Sequence, residues 1–361
     1  YRLHSFKYER IKRIMAYTTI NKSTDYQNTK LYDGTGNSNA ITGVGLQPDL
    51  VMLKSRTQGS SGYNGNNFWF DAVRGVTKRL KTDGNNAEVT EAQGLTAFGS
   101  DGFTVGTDDI VNKNGDSFVS WNWKAGTTSG ITTNGTTTIT PTAYSFNTTS
   151  KFSILKYTGN DAAGAYVAHG LGTTPTMIIV KKISGTGGWY VYHHKMTTDY
   201  NMYLDTTDAE FGGAYVYSPD ATNFRLRDHD TVNENGETYV AYCFAEKTGY
   251  SKFGKYKGTS STDGAFIYTG FKPTFFMAKC IDNAESWYIF DNKRLGYNVE
   301  NAQLYPDNDS AEATTDYADI LSNGIKFRYN SVGLNGSSNN YIYMAVGQTL
   351  VGTNNIPVTA R

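Results

Sequence analysis

LQPDLVMLK, residues 46–54, contains a proline, one variable residue, four apolar residues and a lysine. The same spelling returns as PTMIIVK at 175–181 and as PTFFMAK at 273–279. Proline is tolerated at the first residue of a strand, where no ladder donor is lost. An unbroken apolar run of this length reads as a strand buried on both faces. The phrase therefore predicts a central β-strand, and its recurrence predicts an internal repeat.

Other elements keep step with it. Upstream stand Tyr32-Asp33-Gly34, Tyr157-Thr158-Gly159 and Tyr256-Lys257-Gly258, with 16, 18 and 17 residues from tyrosine to proline. Downstream come the aromatic runs FWFD (68–71), WYVYH (189–193) and WYIFD (287–291). The first copy carries five extra residues before this run, around 59–66. Each copy closes on FVSWNWKAG (118–126), YVAYCFAEK (239–247) or YIYMAVGQT (341–349). Elements in one order at near-constant spacing divide the chain into repeats at 24–126, 151–249 and 250–349. Around them lie a leader (1–23), a Gly/Thr-rich linker or exposed β-arm (127–150) and a tail (350–361).

The closing strand alternates. Val119, Trp121 and Trp123 share one face, matched by Val240, Tyr242 and Phe244 and by Ile342, Met344 and Val346. That face is predicted to be the core, with a smaller, mixed face opposite (Ser120 and Asn122; Ala241 and Cys243; Tyr343 and Ala345). Asn114-Gly115 and Asn235-Gly236 read as two-residue hairpin turns, and Ser337-Ser338 as a longer loop in the third copy. Seven or eight strand-like runs per repeat, rich in aromatic and β-branched residues, predict an all-β chain. The expected architecture is three tandem antiparallel β-sandwich units of about 100 residues, jelly-roll-like.

The 361 residues hold 33 basic and 33 acidic side chains, which argues against nucleic acid or an anionic membrane as the main partner. Residues 1–14 concentrate five Lys/Arg against one Glu, and Met15-Ala16 reads as an alternative start. No apolar run is long enough for a membrane helix. Two cysteines, Cys243 and Cys280, do not make a disulfide framework and are expected to stay reduced.

Catalytic motifs are missing from the sequence pattern. None of the five histidines recurs between repeats, and no zinc spacing, phosphate-cradling loop or nucleophile elbow is present. No cofactor and no metal site is expected. Asp307-Asn-Asp309 and Asp228-His-Asp230 read as plain acidic loops, since neither carries a full calcium ligand set. Asp71-x-x-Arg74 and Asp291-x-x-Arg294 match each other and read as structural ion pairs at a strand end. The second repeat departs there, with His193-His194-Lys195-Met196. Tyr63, Asn64, Asn66 and Trp69, in or beside the inserted loop, are the candidate binding residues. Flat aromatic faces and adaptable amides suit a glycan or a protein partner. His193 and His194 join them as candidates.

With these motifs aligned, the chain resembles a family of virion proteins of tailed bacteriophages, especially marine phages. The carrying stretches include GVGLQPDLVMLKSR with FWFDAVRG, SDGFTVGTDDIVNKNGDSFVSWNWKAG and ETYVAYCFAEKTGYSKFGKYKG. The resemblance covers nearly all of 24–349. It implies a non-enzymatic virion-surface protein, in a tail or head fibre or spike contacting the host. Its partners would be other virion proteins, a further copy of itself (a trimer, as is common in fibres) and a host glycan or protein. The alternatives are a capsid or tail decoration protein and a lectin-like carbohydrate-binding protein. The resemblance supplies no catalytic residues.

Overall fold

The computed structural model describes residues 18–57, 65–295 and 298–351. The chain is all-β, and every strand pairing within its sheets is antiparallel. One connectivity is written three times. In the first stretch, strand Gln27–Asp33 pairs with the closing strand Ser117–Trp123. The closing strand pairs in turn with the phrase strand Leu50–Ser55, and that with the aromatic strand Asn67–Asp71. A smaller sheet joins Asn39–Ile41, Gly102–Val105 and Leu95–Gly99. The first strand thus pairs with the last and the second with the last but one, the nested pairing of a jelly roll. The same order recurs from Phe152–Thr158 to Thr238–Phe244, and from Ser251–Lys257 to Asn340–Thr349.

Each unit buries both faces of its larger sheet. Outer faces pack under the smaller sheets in three separate cores, one per unit. Inner faces share one central core: Met52 and Trp121, Ile179 and Tyr242, Met277 and Met344 all belong to it. The face predicted to be the core is this shared one. The opposite face, expected to be mixed, is buried as well: Ser120, Asn122, Ala241, Cys243 and Ala345 are 0% exposed. The smaller sheet covers that face, which the alternation pattern by itself cannot reveal. Cys243 and Cys280 are free and buried.

The Tyr-x-Gly motif has a local cause. A one-turn helix precedes each closing strand: Asp109–Asn112, Asp230–Asn233 and Val332–Asn335. The hydroxyls of Tyr32, Tyr157 and Tyr256 donate to the carbonyls of Val111, Val232 and Leu334 at 2.6–2.8 Å. The glycines let the chain pass against the helix end. A Cβ on Gly34, Gly159 or Gly258 would lie 2.0, 2.3 or 2.2 Å from a carbonyl oxygen there. The last helical residue is a buried asparagine each time. Its Oδ1 accepts from the backbone of Thr35, Asn160 or Thr259 and its Nδ2 donates to facing carbonyls.

Two expectations change here. Asn114-Gly115 and Asn235-Gly236 are not strand-to-strand hairpins; they form β-turns between helix and closing strand. Only the second central residue has positive φ: Gly115 +85°, Gly236 +78° and, in the third unit, Ser338 +64°. The third unit's turn is no longer than the others; its extra residue lies between Phe327 and the helix. Nor is 127–150 a free linker or arm. Strand Ala143–Asn147 pairs with Phe152–Thr158, and Ile139 bridges Val167. Its apolar residues Ile139, Tyr144 and Phe146 bind it to the second unit. The basic leader through residue 17, with Met15, and the tail from 352 lie outside the described residues.

Candidate functional site

The lysine that ends each phrase faces inward, on the side of Met52, Ile179 and Met277. Lys54, Lys181 and Lys279 are all 0% exposed. A buried ammonium needs oxygen partners, and each of these donates to carbonyl oxygen of its own unit and to one carbonyl on a neighbouring unit. Lys54 Nζ donates to Asn308 O (2.7 Å) and to Gly65 O (2.5 Å). Lys181 Nζ reaches Asn85 O (3.3 Å), and Lys279 Nζ reaches Thr207 O (3.1 Å). The first unit thus contacts the third, the second contacts the first, and the third contacts the second.

A second set of bonds joins the same pairs of units. The backbone N–H of Glu88, Glu210 and Glu312 donates to the carbonyls of Ile183, Ile281 and Arg56, at 3.1, 3.0 and 3.0 Å. Each acceptor stands two residues beyond a buried lysine. Head-to-tail contacts that return to their start make a closed ring, here within one chain. Burial lowers all three lysines to about 8. A lysine so perturbed in an open cleft would be a candidate base or nucleophile. These three are enclosed and their protons are engaged by carbonyl oxygens, so they hold units together.

The Asp-x-x-Arg pairs lie on the same junctions. Arg74 Nε meets Asp71 Oδ2 at 2.5 Å, and Arg294 Nε meets Asp291 Oδ2 at 2.7 Å. Each aspartate also accepts from the neighbouring unit: Tyr242 Oη to Asp71 at 2.7 Å, Trp121 Nε1 to Asp291 at 3.0 Å. At the third junction all three partners change together. His193 replaces the aspartate, Met196 the arginine and Met344 the donor across the junction. Met344 has no proton for a carboxylate, and a buried unpaired carboxylate is costly. His193 instead is neutral, held down to about 3 by burial, with Nε2 3.2 Å from Tyr343 O. His194 is half-buried, with Nε2 3.0 Å from Phe253 O.

Of the candidate binding residues of the first unit, Trp69 and Asn66 are buried. Trp69 is 1% exposed and lies in the central core, edge-on to Trp189 and Tyr242 at 5.1 and 5.0 Å. Asn66 is 3% exposed. Tyr63 and Asn64 lie outside the described residues. The aromatic strand next to the insertion turns Trp69 toward the other two units, which a reading of one repeat misses. Among the described residues, no three His, Cys, Asp or Glu side chains converge on a metal-sized site. Asp307 is buried, accepts from Trp287 N at 3.2 Å, and is pushed up to about 7 by burial. Sequence reasoning passed over the phrase lysines and the helix-end asparagines. Both recur in all three repeats at fixed offsets, and that recurrence was the available signal.

A family model described as a domain of unknown function, DUF7483, matches residues 22–349. The chain belongs to the DUF7483 family. The DUF7483 match takes in all three units and thus the whole ring. No curated protein matches this chain. Among solved structures, the crystal structure of the STIV MCP is similar at 9% identity, over 66% of this chain and 96% of that one. Its TM-score of 0.17 is too low to carry an argument about the DUF7483 fold or function.

Proposed function

We propose that this DUF7483 chain is a non-enzymatic virion structural protein, serving in a fibre or spike at the particle surface. The observation that carries the reading is the closed ring of contacts between units. The perturbed lysines and the Asp–Arg pairs, the groups best suited to chemistry, are enclosed and engaged in joining one unit to the next. The product is a rigid three-lobed block whose core is completed within a single chain. Such a block suits assembly and display, and the sequence resemblance to phage virion proteins points the same way. A decoration role on a capsid or tail uses the same block and differs only in its place on the particle.

Mass spectrometry of purified particles of the encoding phage tests the reading. The chain is expected among the structural proteins at a fixed copy number, and its absence from washed particles overturns the proposal. Imaging those particles with a labelled chain then separates a fibre position from a capsid or tail-tube position.

A further inference from the structure

The three junctions are built alike but finished differently. Between the first and second units, strand Ala143–Asn147 covers the edge of Phe152–Thr158, and Ser145 Oγ donates to Asp49 Oδ1 at 3.2 Å. Ile139 of the same segment is buried in the second unit's own core, closing the mouth between its two sheets. Between the third and first units, Ser23 N and Oγ donate to Gln348 Oε1, and Ile20 enters the central core. Among the described residues no extra segment seals the junction of the second and third units, where six residues separate Phe244 from Ser251. There the mouth between edge strands Ser251–Lys257 and Phe266–Tyr268 is an open cavity of about 470 Å³. His194 forms its boundary with a second cavity of about 270 Å³ on the other side.

The walls of the larger cavity have a definite chemistry. Phe266 and Tyr268 are 47% and 54% exposed, and they flank the inward-facing Ile267 on one strand. In the second unit the residue matching Phe266 is Tyr166, and Arg225 lies over its ring at 5.3 Å. In the third unit the matching cation, Lys326, turns away to Gly264 O and Asp263, leaving the Phe266 face free. Lys252 Nζ sits 5.3 Å from the Tyr268 ring centre and donates to the Tyr268 carbonyl at 2.9 Å. Lys195 and Lys255 are exposed on the rim. Glu246 is the single acid among the lining residues, and its Oε1 already accepts from Phe253 N at 3.0 Å.

An added strand does not fit this edge as it fits the second unit. There, Ile154 lies opposite Ser145 of the covering strand. At the matching position, Phe253, the outward N–H is taken by Glu246 and the outward carbonyl by His194. The edge is plugged, while the half-exposed rings of Phe266 and Tyr268 and the rim lysines Lys195 and Lys255 stay accessible beside it.

We propose that this mouth is a binding site for an acidic saccharide. Tyr268 and Phe266 offer flat faces to the C–H side of a sugar ring, and Lys195, Lys252 and Lys255 meet its carboxylate or sulfate groups. The volume falls within the ordinary range of small-ligand sites. The proposal stands on the cavity itself and holds whether or not the chain is part of a virion.

The test is an array carrying neutral saccharides beside uronic-acid, sialylated and sulfated ones, followed by calorimetric titration of the best binder. Binding confined to acidic saccharides is expected, weakening as salt rises from roughly 50 to 500 mM. Tyr268→Ala and Lys252→Gln are each expected to cost tenfold or more in affinity, with unchanged circular dichroism. Tyr329→Ala, an exposed aromatic away from the cavity lining, should bind as wild type does. Retention of no saccharide, equal retention of neutral ones, or tighter binding of an oligoglutamate peptide overturns the proposal.

Discussion

Replacing His193 with Asp restores, at the third junction, the residue the other two junctions carry, and it should destabilise the protein. The position is 2% exposed. A carboxylate there faces the carbonyl of Tyr343 and the rings of His194 and Phe253, with no arginine at 196. If it takes up a proton to stay neutral, the cost at pH 7 is about 4 kcal/mol, for a carboxyl whose unfolded pKa is ~3.9. If it stays charged and unpaired, the cost is about 3–5 kcal/mol. Both routes give a loss of roughly 4 kcal/mol. Adding Met344→Tyr supplies the donor that Tyr242 supplies to Asp71. Adding Met196→Arg supplies the ion pair, and Glu210 already stands where Glu88 stands relative to Arg74. The triple variant should recover at least half of the loss. Guanidinium unfolding of the wild type, His193→Asp, the two added changes alone and the triple variant measures this. A His193→Asp protein within about 1 kcal/mol of wild type, or a triple variant no better than His193→Asp alone, refutes the view that these three residues changed as a set.

Gly34→Ala and Gly159→Ala should each lose about 1–3 kcal/mol or more, because the new methyl meets a carbonyl oxygen. Gly135→Ala, with nothing within 4 Å, should lose nothing in the same melts. Asn233→Ala removes the amide that accepts from Asn160 N and donates to Ala162 O. It should cost about 1–3 kcal/mol, with amide exchange rising first in 159–162. Asp307 carries a folded pKa raised to about 7, so its contribution is fully present below its unfolded value near 4 and is lost as pH rises through 7. Asp307→Asn should therefore gain on wild type by roughly 3–4 kcal/mol between pH 4 and 8; parallel curves at the two pH values would contradict this.

The all-β class, the three units and the strand identities were legible because they are local. Period-two alternation and fixed spacing survive in the sequence whatever surrounds them. Trp121, Tyr242 and Met344 could be placed on one core face from alternation alone. Lys54, Trp69 and His193 could not be placed this way. A lysine ending a strand reads as a surface residue, and a tryptophan beside an insertion reads as an exposed platform. Both become interior because a unit some 100 or more residues away supplies covering atoms and, for Lys54, the carbonyl of Asn308. The sequence by itself determined what each unit is made of. Only the tertiary structure decided that three units close on one another, because burial belongs to neighbours brought together by folding.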